Sequence, residues 1–138
     1  MKRSTKSRLT AKQASAFPGD ALFDKIARAV CKAGTLPGKE LFEAWETARR
    51  VRRIYRGGRV VDFAGGHGLL AHIILLLDDS SPEAVVVDLN IPANASILSE
   101  SITDAWPRLK GRIRYVQAPL ESFDLFADDL VVSIRSEE

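Results

Sequence analysis

The pattern of apolar residues along the chain changes near residue 59. Before that point, apolar side chains recur every three or four positions, which is typical of amphipathic helices. Two stretches follow this pattern, residues 20–33 and a longer one that begins near Lys39, and each is followed directly by glycine. Glycine is common just after a helix C-terminus. The sequence therefore predicts two N-terminal helices within residues 19–58.

After residue 59, short apolar runs alternate with helical patterns. The runs are RVVDFA, AVVVDL, RIRYVQ and LVVSI, and the helical patterns lie in residues 68–77 and in NASILSESITDAW. Strands separated by helices form parallel sheets with right-handed crossover connections. Three of the four runs are apolar almost throughout, as expected for strands covered on both faces. We therefore predict an α/β fold in residues 59–138, with a mostly parallel sheet and helices on both of its faces.

Charge is distributed unevenly, although the net charge is only +2. Residues 1–59 carry fifteen Lys and Arg against five Asp and Glu, whereas residues 60–138 carry five against thirteen. Such a basic half favours a polyanionic partner, and we expect RNA. On the second helix, four arginines are spaced so that they lie along one side: Arg49, Arg52, Arg53 and Arg56. This side either contacts phosphates or is simply a solvated edge.

Residues 1–18 contain five basic residues, no acidic residue and few apolar ones. They lack the hydrophobic segment of a secretory signal, and we predict a disordered basic arm, with an organelle-targeting segment as the alternative.

No apolar run approaches the ~20 residues that span a bilayer. The single cysteine, Cys31, excludes an internal disulfide and a cysteine-built zinc site. We therefore predict a cytoplasmic protein with no membrane association and no metal site.

The glycine-rich turn after the first strand is the most informative segment. Residues 62–68 read Asp-Phe-Ala-Gly-Gly-His-Gly, and such a turn lets backbone N–H groups approach a ligand at a helix N-terminus. The glycines, with Asp88 twenty residues after Gly68, also satisfy the dinucleotide fingerprint. Asp62 distinguishes the two interpretations, because a buried carboxylate is costly unless a cation or a hydrogen-bond donor meets it. A ligand with a cation near an amino-acid end would supply that partner.

Residues 62–68 resemble the first motif of class I S-adenosylmethionine-dependent methyltransferases, an acid followed by alternate glycines, with Ala64 in place of the first glycine. Asp88, at the end of AVVVD, is similar to the acid of their second motif. The resemblance covers about residues 40–134, the N-terminal cofactor-binding half of such a domain. It implies a Rossmann-like fold with strand order 3-2-1-4, incomplete after strand four, and S-adenosyl-L-methionine as the cofactor.

The resemblance also implies a role for each residue of the motif. Asp62 would face the methionine end of the cofactor, and the backbone of residues 64–68 would wrap that amino acid. Asp88 would bind the ribose, with Leu89 beside the adenine. We interpret His67 as a loop-stabilising residue rather than a general base, and no catalytic residue is predicted. The expected cofactor-binding set is Asp62, Ala64, Gly65, Gly66, His67, Gly68, Asp88, Leu89 and Ala118.

The implied function is that of an S-adenosylmethionine-binding methyltransferase, or the cofactor-binding part of one, acting on RNA. Two alternatives stay open: a fragment of an NAD(P)-binding oxidoreductase, and a non-catalytic domain that binds RNA or protein. In the resembled family the substrate-facing groups follow strand four, so we expect the catalytic part to be absent from residues 59–138. We also expect self-association, or a completing polypeptide, at the open edge of strand four. Val132→Lys is expected to block this pairing without disturbing the cofactor loop.

Overall fold

The computed structural model describes residues 3–134. Within them, three short 3-10 helices accompany the α-helices and β-strands, at Ala11–Ala16, Pro107–Leu109 and Leu120–Ser122. The α-helices are α1 (Leu22–Ala33), α2 (Gly38–Ile54), α3 (Leu69–Leu77) and α4 (Ala95–Ala105). The strands are β1 (Val60–Phe63), β2 (Ala84–Asp88), β3 (Ile113–Gln117) and β4 (Leu130–Val132).

The four strands form one parallel sheet in the order β3-β2-β1-β4. In this register, Val60 of β1 lies between Ala84 of β2 and Leu130 of β4. Parallel neighbours need crossover connections, and α3 and α4 supply two of them. The predicted α/β, Rossmann-like fold with strand order 3-2-1-4 is therefore confirmed, and β1 is a central strand, as expected.

The main core lies between one face of the sheet and the α-helices. Val60, Val86 and Val132 point into it from three strands, and buried residues of all four helices complete it. Helix α3 is apolar around its whole circumference, which is typical of a helix buried on all sides. Its residues 69–76 are all buried, because α3 lies between the sheet and α2.

The second face of the sheet is covered by irregular chain rather than by an α-helix. Val61, Val85 and Val87 are fully buried there, and the residues packed on them include Leu120 and Phe123 from the segment after β3. The prediction of helices on both faces is met here only by the 3-10 turn at Leu120–Ser122. No periodic pattern marks this segment, because a few well-placed side chains, here Leu120 and Phe123, are enough to cover short strands.

An ion pair holds this covering segment against the sheet. Arg59, just before β1, donates two hydrogen bonds to the carboxylate of Asp129, with N–O distances of 3.0 and 2.6 Å. Both side chains are less than 10% exposed. The Arg59 guanidinium also lies 4.0 Å from the ring centroid of Phe126. Bidentate, shielded pairs of this kind fix geometry more strongly than surface pairs do.

The predicted disordered arm is wrong for residues 3–18, which pack onto the helices. Leu9 and Phe17 are 1% and 6% exposed and belong to the main core. The Leu9 N–H donates to the carbonyl of Leu36 at 2.8 Å, and Thr10 caps the 3-10 helix that follows. Two apolar anchors in a polar segment are too few to produce a periodic pattern, although they are enough to fix the chain.

The outer edge of β4 has no strand paired to it within residues 3–134. The expectation that Val132→Lys would act only at this edge is wrong, because the Val132 side chain is 7% exposed and packs in the main core. Val131, which points to the other face, is 44% exposed. A side chain placed at this edge to block pairing therefore belongs at position 131.

None of the helices in residues 3–134 has the length and apolar character needed to cross a bilayer.

Candidate ligand-binding site

The loop between β1 and α3 lies at the carboxyl end of the sheet, where parallel α/β folds bind their ligands. Its backbone is left-handed at three positions, with φ angles of 57° at Ala64, 55° at Gly66 and 82° at Gly68. Glycine adopts such angles without steric cost, whereas alanine does not. The Gly68 N–H donates to the Gly65 carbonyl at 2.8 Å and closes the turn.

The glycines of the loop serve different purposes. A Cβ at Gly65 would lie 2.7 Å from the Asp62 carboxyl, and one at Gly68 would lie 2.8 Å from the side chain of Val86. Both positions are therefore closed to larger residues by the sheet itself. A Cβ at Gly66 would meet nothing within 4 Å, so only its backbone angle demands glycine. The open space beside Gly66 is where a ligand can approach the loop.

Asp62 is the most unusual group of the site. Its side chain is 1% exposed, and its Oδ2 atom has no hydrogen-bond partner. Burial raises the pKa of this carboxyl to about 7; the Ala71 amide, in the first turn of α3, donates to it and opposes the rise, and Asp88 adds to it. A buried acceptor without a partner is costly in free energy. The sequence-based expectation that Asp62 needs a partner from outside the fold is consistent with this geometry.

A cavity of about 220 Å³ opens between the loop and α2. It brings together six of the nine predicted residues, namely Asp62, Ala64, Gly65, Gly66, His67 and Gly68. It also contains two acids that were not predicted, Glu40 and Glu43 of α2. The sequence of α2 contains no motif that marks a binding site. Only the packing of α2 against α3 shows that these acids face the loop.

The other three predicted residues lie outside this cavity. Asp88, at the end of β2, accepts hydrogen bonds from the Gly66 N–H at 2.8 Å and from the Asn90 N–H at 3.1 Å. It thus braces the loop, in addition to any ligand contact its remaining lone pairs allow. Leu89 is 59% exposed beside it. The Ala118 N–H donates to the Asp88 carbonyl and extends the pairing of β3 with β2.

His67 is held from both ends, as its interpretation as a loop-stabilising residue requires. Its Nε2 atom donates to the side-chain oxygen of Asn94 at 2.7 Å, and its carbonyl accepts from the Tyr115 hydroxyl at 2.7 Å. Desolvation raises the pKa of Tyr115 to about 12, so the hydroxyl stays protonated and remains a donor. The sequence marked Asn94 only as part of a helix start and Tyr115 only as a strand residue.

His72 connects the loop to α4 from inside the core. Its Nδ1–H donates to the Gly68 carbonyl at 2.7 Å, and its Nε2 accepts from the Ser99 hydroxyl at 3.0 Å. These partners fix one neutral tautomer. Complete burial lowers the pKa of His72 to about 4, although the bond to Gly68 opposes the shift. His72 is therefore a buried packing residue rather than a surface residue.

The predicted row of four accessible arginines is wrong at Arg52. This residue is 4% exposed and donates to the Ile74 carbonyl at 3.1 Å and to the Ser81 hydroxyl at 2.9 Å. It therefore closes the C-terminal end of α3 rather than facing solvent. Arg56 is exposed and pairs with Asp78 at 3.2 Å. Arg49 and Arg53 remain exposed on α2.

No group of three or more His, Cys, Asp or Glu side chains in residues 3–134 is placed to hold a metal ion. Cys31 is buried in the core, and burial raises the pKa of its thiol.

Comparisons with known proteins concern the fold. No protein-family model matches the chain, and no curated protein matches it. Among solved structures, it is similar to coclaurine N-methyltransferase (16% identity, TM-score 0.47), covering 94% of this chain and 37% of that one. It is also similar to the S-adenosylmethionine-dependent methyltransferase SibL (22%, 0.45), covering 91% of this chain and 37% of that one.

A third similar structure is a protein from Pyrococcus horikoshii provisionally assigned as an RNA methyltransferase. The two share 20% identity with a TM-score of 0.45, covering 70% of this chain and 43% of that one. The chain thus spans less than half the length of these three structures. At these identities and TM-scores, the similarities assign neither an activity nor a substrate to this chain.

Proposed function

We propose that this chain binds S-adenosylmethionine through the loop at residues 64–68 and forms the cofactor-binding part of a methyltransferase. The unpartnered Oδ2 of Asp62, which belongs to a residue lining the cavity, is the observation that carries the proposal. The amino-acid end of this cofactor carries an ammonium group, a donor of the kind that a buried carboxylate lacks here. A charge-assisted bond of this type is among the stronger interactions available to a protein.

The residues of the chain have distinct tasks in this proposal. Asp62 would accept from the ammonium group, and the backbone at Gly66, held by Asp88, would approach the same end of the ligand. When bound, the cofactor supplies a methyl group on a positively charged sulfur. The chain's part is to orient that group and to shield it from water, and we assign no residue to the acceptor.

A dinucleotide fits the same loop less well. Its pyrophosphate would use the α3 N-terminus, but NAD offers no ammonium group for Asp62, whose oxygen would remain without a charged partner. The pKa of about 7 also leaves a substantial fraction of Asp62 ionised at neutral pH, and a negative charge there opposes a phosphate. The geometry therefore favours the amino-acid-bearing cofactor.

Isothermal titration of the full chain with S-adenosylmethionine and with NAD tests the proposal. We expect S-adenosylmethionine to bind with a dissociation constant on the order of micromolar to millimolar. Asp62→Asn keeps the shape of the side chain and removes its charge, so it should weaken binding by about tenfold or more. Asp104→Asn, an exposed acid on α4, is the matched control. Equal or tighter binding of NAD would contradict the proposal.

We further propose that α2 contacts RNA through Arg49 and Arg53. Both are exposed, and Arg49 lies 5.8 Å from the ring centroid of Trp45. The guanidinium of Arg3 lies 5.3 Å from the ring centroid of Phe42 on the same helix. Alternating arginines and aromatic rings are a surface on which single-stranded bases stack while their phosphates meet positive charge. This is a separate proposal, which does not depend on the cofactor.

A further inference from the structure

The wall of the cavity opposite the loop is formed by the first two turns of α2. Glu40 and Glu43 lie three residues apart, so their side chains project from the same side of the helix. Both line the cavity. Neither forms an ion pair within residues 3–134. The basic residues near Glu40 are Lys39, which precedes it in α2, and His67 of the loop.

The third acid of the cavity is Asp62, which makes this more than a group of surface carboxylates. Its buried Oδ2 has no partner, and it lies on the loop side, with Glu40 and Glu43 on the helix side. Although Glu40 is exposed as a whole residue, partial burial of its carboxyl raises the pKa of that group. The neighbouring His67 lowers the pKa of Glu40, and the neighbouring Glu43 raises it. Acidic groups thus surround this cavity on two sides and create a field that favours a positively charged occupant.

We infer that Glu40 and Glu43 are specificity-determining residues, which make the cavity favour a positively charged ligand over a neutral one of the same shape. This inference rests on the proposed function. The methyl-donating form of the cofactor carries a positive sulfonium sulfur, whereas its demethylated product carries a neutral thioether and has one positive charge fewer. The two ligands are otherwise nearly identical in shape, so charge is what the α2 acids can distinguish. The expected result is preferential binding of the methyl donor and easier release of the product.

The experiment compares the two ligands on the full chain by isothermal titration at low salt. Removing one acid near a cation in partly solvated surroundings changes affinity by about two- to sixfold. Glu40→Gln combined with Glu43→Gln should therefore weaken the binding of S-adenosylmethionine by about tenfold, the product of two such steps. Binding of S-adenosylhomocysteine should stay within about twofold. Glu46→Gln, one turn further along α2 and outside the cavity lining, is the matched control and should change neither.

The outcomes separate this inference from the function on which it rests. A donor-to-product affinity ratio that falls toward one in the double variant, and falls equally in wild type at high salt, supports it. An unchanged ratio, or equal weakening of both ligands, overturns the inference while the proposed cofactor stands. If neither ligand binds the wild-type chain, the proposed function fails and the inference fails with it. Thermal melts of each variant identify a loss of binding that comes from unfolding.

Discussion

Asp62 and His72 are expected to make opposite contributions to stability as pH changes. In the folded chain the pKa of Asp62 is raised from 3.8 to about 7, so between these values the unfolded chain holds fewer protons. Asp62 therefore lowers the free energy of unfolding as pH rises through this window. The pKa of His72 is lowered from 6.5 to about 4 in the folded chain, so between these pH values the unfolded chain holds more protons. His72 therefore raises the free energy of unfolding as pH rises from about 4 to 6.5, a window that lies within that of Asp62.

Between about pH 4 and 6.5 the two slopes nearly cancel in the wild-type chain. Each amounts to at most about 1.4 kcal/mol per pH unit, because each involves one proton. Asp62→Asn removes one of them and leaves the slope of His72. The difference in free energy of unfolding between variant and wild type should grow by up to about 1.4 kcal/mol per pH unit, to roughly 4 kcal/mol by pH 7.5. Without ligand, the variant should be the more stable protein at neutral pH.

Urea denaturation of both chains at pH 4.5, 5.5, 6.5 and 7.5 measures this difference. Comparing the two chains at each pH cancels the surface carboxylates common to both. Asp104→Asn again serves as control, and its stability should follow that of wild type at every pH. Parallel curves for Asp62→Asn and wild type from pH 4.5 to 7.5 would refute the argument, because they would show that Asp62 ionises normally in the folded chain.

Three further predictions concern other parts of the molecule. Ala64→Gly should raise the free energy of unfolding by about 0.5–1 kcal/mol, because position 64 has a left-handed backbone; an unchanged or lower melting temperature would contradict this. Arg49→Gln with Arg53→Gln should weaken RNA binding at low salt and flatten its salt dependence by about two charges, as measured by fluorescence anisotropy. Val131→Lys should reduce any self-association seen by sedimentation and leave stability unchanged, whereas Val132→Lys should cost at least about 2 kcal/mol; the reverse order would refute the placement of the β4 edge.

The features that could be predicted from sequence are those set by local rules. Apolar runs separated by helices led to a parallel sheet, and the glycines between Asp62 and α3 marked the loop that lines the cavity. Asp62 itself was identified because a carboxylate in an apolar strand contradicts its surroundings. Such conflicts between a residue and its local pattern are visible in one sequence, since they need no knowledge of what lies across the core.

The features that were missed depend on contacts between distant segments. Arg52 lies at the edge of the apolar stripe of α2, and its spacing alone does not show that the end of α3 and Ser81 will enclose it. Leu9 and Phe17 anchor the N-terminal segment, but two apolar residues form no pattern. Glu40 and Glu43 read as an ordinary solvated helix face until α2 is placed against α3. Each of these outcomes is decided by tertiary packing rather than by the periodicity of one element.

The position of Asp62 explains why the loop and the core cannot be altered independently. The carboxyl occupies the space that a Cβ at Gly65 would need, and Val86 of the neighbouring strand limits both Gly65 and Gly68. Any residue at position 62 that relieved the burial of charge with a larger apolar side chain would push against that loop. An asparagine at position 62 preserves the shape of the side chain and removes its charge. It is expected to make the unliganded chain more stable and to weaken ligand binding. If both changes are observed in the same variant, then the instability of the free chain and its affinity for a cationic ligand have a common origin in one unpartnered oxygen.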